Sequence, residues 1–426
     1  MEQPLVTVVT PSYNQAPFLR ATIESVLSQD YPRIEYIIMD GGSEDASAQI
    51  ASEYSSRLSW FSGKDRGQSH ALNKGYRMAK GDILAWINSD DILLDGAVRR
   101  AVEGFRDHPL AGAVYGEGFL MDRDGNFTSR FPYVRPFDLW SLVHLSDYVL
   151  QQSMYFRADV YREIGEIRED LHYTMDWDLL IRIGKRYPLQ HLPHYMGCLR
   201  EHDEAKTFRG GGVRIREIGR MLREHTGMWM PPGLVHYGMD MYRRIWCDRI
   251  AKSTPAGLSG LGEFLQLAVT YAAGIVARRI TSLAWNSLQG WYEDGWVSTR
   301  ILYMLPACDS DLIIEGELPP NPWLAGQNIE ILCNGVSLGS HRLPKGAFRL
   351  QVPARGLAAH QPANLELRAS HYYIPTHFGH LTDRRRLAYK IKRITWSAYE
   401  GLDLLIHPLG LPSTNRYGTY SNPARG

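Results

Sequence analysis

Neither sign of charge is in excess in this chain. Its 426 residues carry 47 Lys and Arg against 46 Asp and Glu, so no global electrostatic argument points to nucleic acid as a partner. Cysteine is scarce: the four, at positions 198, 247, 308 and 333, form no C-x-x-C pair and no dense framework, which excludes a disulfide scaffold. The first strand pattern begins within a few residues, with no basic, apolar and small-residue leader ahead of it. A reduced, cytoplasmic setting is therefore expected. A G-x-G-x-x-G run after the first strand is missing, and so is a glycine-rich loop ending in Lys and Ser or Thr, which excludes the Rossmann dinucleotide site and the P-loop. No internal repeat of fixed period is present, and the length exceeds a single core of about 100–200 residues.

What is present is a strand, a polar loop and a helix, repeated. Val6-Thr7-Val8-Val9 runs into Pro11-Ser12-Tyr13-Asn14 and then into Phe18, Leu19, Ile23, Val26 and Leu27 at helical spacing. Tyr36-Ile37-Ile38-Met39 runs into Asp40-Gly41-Gly42-Ser43, where the glycines allow a tight turn. A third strand near 58–62 leads to Asp65-Arg66-Gly67-Gln68 and a helix through Ala71, Leu72 and Tyr76. The fourth strand, Ile83-Leu84-Ala85-Trp86-Ile87, ends in Asn88-Ser89-Asp90-Asp91. The fold class expected is α/β, and in an open α/β sheet ligands collect at the carboxyl ends of the strands. Neighbouring carboxylates at such an end suit a hard divalent cation, Mg²⁺ or Mn²⁺, which takes its remaining ligands from substrate phosphates and water.

With these motifs in order, residues 6–207 resemble the family 2 glycosyltransferases, inverting enzymes with the GT-A nucleotide-diphospho-sugar transferase fold. The resemblance rests on Thr10-Pro11-Ser12-Tyr13-Asn14, on Asp40 to Asp45, on Asp65-Arg66-Gly67-Gln68-Ser69-His70-Ala71-Leu72-Asn73-Lys74-Gly75, and on Asn88-Ser89-Asp90-Asp91. Met175-Asp176-Trp177-Asp178-Leu179, and His202 with Lys206 and Thr207, complete it. It implies a nucleotide-diphosphate sugar donor held by Pro11, Tyr13, Asn14, Asp40, Asp65, Arg66, Asn73, Lys74 and Asp90, with Tyr13 against the base and Asp40 at its edge. It implies a divalent metal at Asp90, Asp91 and His202, and Asp176 as the general base that deprotonates the acceptor hydroxyl, with Asp178 in reserve. The acceptor expected is a glycan or a lipid-linked glycan, in surface polysaccharide synthesis. Two positions depart from the family pattern: Asn88 stands where Asp is usual, which predicts weaker metal binding, and Met175 stands where Glu is usual. Two rivals stay open: a glycan-binding scaffold whose catalytic site has decayed, and a nucleotidyltransferase.

Further along, Gln151-Gln152-Ser153 is placed beside the acceptor cleft, with Gln152 either a sugar ligand or a structural amide. The domains expected are a GT-A unit over 1–210, a helical connector over 211–284, a small β-sandwich over 285–400 and a mobile tail over 401–426. Within the connector, helical patterns occupy 213–224 and 237–250, broken at Met230-Pro231-Pro232-Gly233, and an apolar helix follows over 258–280. That helix is long enough to cross a bilayer but is interrupted by Gly260, Gly262, Glu263 and Gln266. Packing between domains is one reading, and peripheral contact with a membrane surface is the other. The sandwich is read from short alternating runs with Asn334-Gly335 as a hairpin turn, and Trp291 to Trp296 is a candidate sugar-stacking segment.

Overall fold

The computed structural model describes residues 3–202, 204–206, 210–253, 261, 264–270, 272–273, 276, 296–372, 374–375 and 385–400. The first part is built on β1 (Val6–Ser12), α1 (Ala16–Leu27), β2 (Ile34–Asp40), α2 (Ser47–Ser52), β3 (Ser59–Ser62), α3 (Gln68–Met78), β4 (Ile83–Trp86), β5 (Ile92–Leu93) and α4 (Ala97–Asp107). It continues through β6 (Ala113–Met121), β7 (Phe127–Arg130), α5 (Leu139–His144), β8 (Met154–Arg157), α6 (Ala158–Ile164), α7 (Met175–Arg186) and β9 (Leu189–Arg200). These strands form one sheet in the order β3-β2-β1-β4-β8-β6-β9-β5, with β7 paired to β6. The first four run parallel, and β8 enters antiparallel between β4 and β6.

Both faces of the parallel half are covered, which is why its strands read as continuous apolar runs. Val9, Ile37, Met39, Leu84 and Trp86 pack with Leu72 and Tyr76 of α3 on one face. Val8, Ile38, Ala85 and Ile87 pack with Leu19, Ile23 and Val26 of α1 on the other. The approach of α3 to the sheet is close enough to demand glycine: a Cβ on Gly75 would lie 2.6 Å from Val9 Cγ1. In register, Ser12 stands opposite Asp40 and Asp40 opposite Ser62. The polar loops after β1, β2 and β3 therefore leave the sheet at one level, the expected result of parallel pairing.

Two helices follow, α8 (Gly211–Thr226) and α9 (Pro232–Ser253). The Pro-Pro-Gly sequence expected as a break is the start of α9, where proline has no amide hydrogen to lose. Most of the apolar segment 258–280 lies outside the described residues, as do Trp291 and the tail from 401. Among the described residues no helix is long and apolar enough to cross a membrane.

The last part comprises β10 (Trp296–Val297), β11 (Arg300–Leu305), β12 (Leu312–Leu318), β13 (Asn328–Cys333), β14 (Val336–Arg342), β15 (Gly346–Val352), β16 (Ala363–Ala369) and β17 (Tyr389–Trp396). They make two four-stranded sheets, β10-β17-β12-β15 and β11-β16-β13-β14. Alternate residues such as Ile329, Ile331, Leu365, Leu367, Ile314 and Ile391 are buried, as period-2 patterning requires. Asn334 and Gly335 join β13 to β14 with φ of 50° and 82°, the two positive values a type I′ turn needs. The expected fold class, a helix-flanked α/β sheet followed by antiparallel β sheets, is what the chain adopts. The two parts touch: the Ala307 amide donates to the Lys185 carbonyl at 2.9 Å, and Arg186 donates to the His360 carbonyl at 2.8 Å.

Candidate active site

The loops after β1 and β2 are tied to each other. Asn14, at φ 52°, donates its amide to Ser43 Oγ at 2.8 Å and accepts from the Glu44 amide through Oδ1 at 2.9 Å. Asp45 caps α1 from the neighbouring loop, accepting from the Ala16 amide at 2.9 Å. Asp40 is 2 % exposed and binds its own turn: Oδ2 accepts from the Gly42 and Ser43 amides at 3.2 and 3.0 Å and from Ser62 Oγ at 2.5 Å. The Ser43 hydroxyl donates to Oδ1 at 2.5 Å. Pro11 is buried within β1, whereas Tyr13 projects from it, 59 % exposed. A Cβ built on Gly41 would lie 3.0 Å from Asp65 Oδ2 and 3.3 Å from the Tyr13 ring. Tyr13, Gly41 and Asp65 thus form one wall.

The remaining candidates lie in the loop before α3 and on α3 itself. Asp65 accepts from the Gly67 amide at 2.8 Å, and Arg66 forms an exposed ion pair with Glu169 at 2.6 Å. Lys74 is half-buried. Asn73, expected to face a donor, is 1 % exposed and engaged within the protein: it donates to the Ile167 carbonyl at 2.8 Å and accepts from Tyr161 Oη at 2.9 Å and the Ile167 amide at 3.0 Å. Its amide oxygen has both acceptor sites filled, which gives it a structural task.

The fourth strand end is organised by amides. Lys206 Nζ donates to Gln68 Oε1 at 2.9 Å, and Gln68 Nε2 donates to Asn88 Oδ1 at 2.7 Å. Asn88 Nδ2 donates to Asp91 Oδ2 at 3.0 Å and to Gln151 Oε1 at 3.1 Å. Asp91 is 1 % exposed and also accepts from Gln152 Nε2 at 2.6 Å and from the Arg200 amide at 2.8 Å. Burial, and then the neighbouring charge of Asp90, push its pKa up. Asp91, expected to face a metal, has both of its oxygens directed at protein donors. Gln152 is likewise the structural amide of the two readings offered for it.

Asp90 differs. Its Oδ2 lies 3.1 Å from His202 Nε2, while His202 Nδ1 is buried without a hydrogen-bond partner and the ring packs 4.8 Å from that of Phe18. No group of three or more His, Cys, Asp or Glu side chains among the described residues is arranged to hold a metal ion. Asp90 and His202 fit as two ligands of a hard cation that completes its shell with phosphate oxygens and water: their 3.1 Å separation is close to the edge of an octahedron with bonds of about 2.1 Å.

Asp176 occupies the first turn of α7, where the helix dipole favours a carboxylate. It accepts from the Trp177 amide at 2.8 Å, and burial raises its pKa. The start of α7 abuts the start of α3: Ser69 Oγ donates to the Leu171 carbonyl at 3.2 Å and contacts Met175 Sδ at 2.8 Å. Met175, 5 % exposed, is a packing residue at the position where the family pattern has an acid. Asp178, the reserve candidate, is buried and paired within the protein. Burial opposes its ionisation, but the hydrogen bond from His225 and the charge of Arg182 outweigh that and hold its pKa below the ordinary value. These partners stand at 2.9 and 2.7 Å.

Two acids escaped the sequence reading. Asp147, half-buried, has its pKa raised by burial and by the charge of Asp176. Glu217 of α8 binds the backbone immediately before α7. Neither lies in a motif, and each is a single acid in an unremarkable stretch.

The helix-flanked sheet, with polar loops at its strand ends, defines the class, a GT-A-type α/β domain. Residues 7–160 match the family model described as glycosyl transferase family 2. Among curated relatives, the chain is 28% identical over 197 residues to an uncharacterized glycosyltransferase of Rickettsia felis, covering 44% of this chain and 32% of that one. It is 28% identical over 193 residues to the chondroitin synthase of Escherichia coli, covering 44% and 28% respectively. The chain therefore spans about a third of the length of these relatives. Among solved structures it is similar to the mannosyltransferase PcManGT from Pyrobaculum calidifontis in complex with GDP-Man and Mn²⁺, with 18% identity and a TM-score of 0.44 over 68% of this chain and 88% of that chain.

Proposed function

We propose that the protein transfers a glycosyl unit, with inversion, from a nucleotide-diphosphate sugar to a hydroxyl of a glycan or lipid-linked acceptor, in surface polysaccharide synthesis. The observation that carries this reading is the meeting of the α3 and α7 starts at Ser69 and Met175. That contact joins the start of α7, which carries Asp176, to the start of α3, which follows the loop of Asp65.

In this reading Tyr13 stacks on the nucleotide base, and Asp65 lines the ribose side. Asp40 braces the turn that presents both. Asp90 and His202 hold a divalent cation, which when bound offsets charge on the leaving diphosphate. Asp176 takes the proton of the acceptor hydroxyl. Its half-buried position suits that task, because a raised pKa makes a carboxylate a stronger base near neutral pH. Lys206, whose positive charge acts on Asp176, links the base through Gln68 and Asn88 to the fourth strand end. Contact with a membrane surface would bring a lipid-linked acceptor to the site.

The test has two arms. Nucleoside diphosphates, with and without Mn²⁺, should raise the melting temperature selectively, since a ligand of the native state stabilises it. Asp176→Asn should lower turnover by about 10²–10⁴-fold while leaving that shift intact. No shift with any nucleotide in folded protein would instead favour a glycan-binding scaffold.

A further inference from the structure

We propose that Glu217 is a positioning residue for Asp176, which holds the backbone leading into α7 from a helix outside the matched 7–160 segment. The inference rests on the assignment of Asp176 as the base. Glu217 is 8 % exposed. Its Oε1 accepts from the Tyr173 amide at 2.6 Å, the Thr174 amide at 2.9 Å and Thr174 Oγ1 at 3.0 Å, and its Oε2 accepts from the His172 amide at 2.9 Å. Three consecutive backbone N–H groups thus converge on one carboxylate, the arrangement of an anion nest, except that the anion is a side chain of the same protein. Thr174 is the residue before the first turn of α7, and its side chain makes no cap to the helix. Its hydroxyl is spent on Glu217 instead.

The rest of α8 reinforces this contact. Arg220 donates to the Asp170 carbonyl at 2.7 Å and pairs with its carboxylate at 3.1 Å, and Glu224 pairs with Arg168 at 2.5 Å. From the opposite side Arg66 holds Glu169, and Ser69 holds Leu171 and Met175. Residues 168–175 are therefore clamped between the donor-side helix α3 and α8, and Asp176 is the first residue beyond the clamp. The charges that bear on Asp176 are those of Asp147, Lys206 and Arg214, and Lys206 also feels Glu217.

The chemistry makes the residue type specific. An ionised carboxylate is acceptor-only, so it satisfies all four donors. Glutamine has one acceptor oxygen, and its NH₂ would meet a backbone N–H. Aspartate keeps the charge but is shorter by one methylene.

The experiment uses the full chain and three variants: Glu217→Gln, Glu217→Asp and Ile218→Val. Ile218, 1 % exposed on the same helix, serves as a packing control. For Glu217→Gln we expect kcat to fall by about 10- to 100-fold, since misplacement of a reacting group by about 1 Å costs up to that much. Nucleoside diphosphate affinity should stay within twofold, and Glu217→Asp should recover part of the loss. Amide hydrogen exchange at residues 172–176 should accelerate at least about tenfold in Glu217→Gln. Ile218→Val should lower the melting temperature without a loss of kcat. A kcat within twofold of wild type in Glu217→Gln, or an equal loss in Ile218→Val, overturns the proposal. Absent wild-type turnover would fault the glycosyltransferase reading alone. Unchanged exchange at 172–176 would then still overturn the role of Glu217.

Discussion

Restoring the acid that the family pattern favours, by Asn88→Asp, should destabilise the protein in a pH-dependent way. Asn88 Nδ2 donates to Asp91 Oδ2 at 3.0 Å and to Gln151 Oε1 at 3.1 Å. In the variant an oxygen replaces that donor, and two carboxylates face each other across a buried contact. At an effective dielectric of about 20 the repulsion between two charges about 4 Å apart is about 4 kcal/mol, equivalent to a pKa rise of about three units. One proton shared by the pair relieves it. A carboxyl whose folded pKa is raised above its unfolded value binds the proton more tightly in the native state, so stability falls as pH rises between the two values. Asp91 already has a raised pKa in the wild type, and the variant extends this dependence. Urea unfolding should therefore show a loss of about 1–2 kcal/mol at pH 5, where the shared proton is bound, growing to about 4 kcal/mol near pH 8. Equal losses at the two pH values, within about 0.5 kcal/mol, would refute the placement of the Asn88 amide against Asp91.

Three further outcomes follow from the geometry. Asp178→Ala leaves Arg182 and His225 without their buried partner and should cost about 3–5 kcal/mol in chemical denaturation. Because the folded pKa of Asp178 lies below its unfolded value, its contribution is present above the unfolded pKa and is lost as pH falls through the folded one. The variant should therefore lose part of the wild-type acid sensitivity. Gly75→Ala forces a methyl to within 2.6 Å of Val9 Cγ1, with an expected cost of about 1–3 kcal/mol read from the melting temperature. His202→Ala should abolish the Mn²⁺-dependent part of nucleotide stabilisation and leave the metal-free part, and an unchanged Mn²⁺ response would place the cation elsewhere.

Much of the fold was legible because its signals are local. Apolar runs ending in Ser12, Asp40 and Asp90 marked parallel strands with polar ends, and parallel pairing brings such ends to one level. Asn334-Gly335 specified its hairpin because two positive φ values in succession suit few residue pairs. Helix α9 was misjudged at its start, since Pro232 reads as a breaker in sequence yet is tolerated in a first turn.

The site was legible in type but not in detail. That Asp91, Asp178, Asn73 and Gln152 are engaged in internal hydrogen bonds depends on partners far away in sequence. Asp91 meets Arg200 across 109 positions, and Asn73 meets Ile167 across 94. A carboxylate looks the same in sequence whether its lone pairs face solvent or backbone amides. The sequence by itself determined the strand-loop-helix units, the motif order and the β hairpins, because these rest on neighbouring residues and their dihedral preferences. Only the tertiary structure decided which acids remain available for chemistry and that Glu217 of α8 secures the backbone before Asp176. Hydrogen-bond saturation is a property of packed surfaces and leaves no periodic trace along the chain.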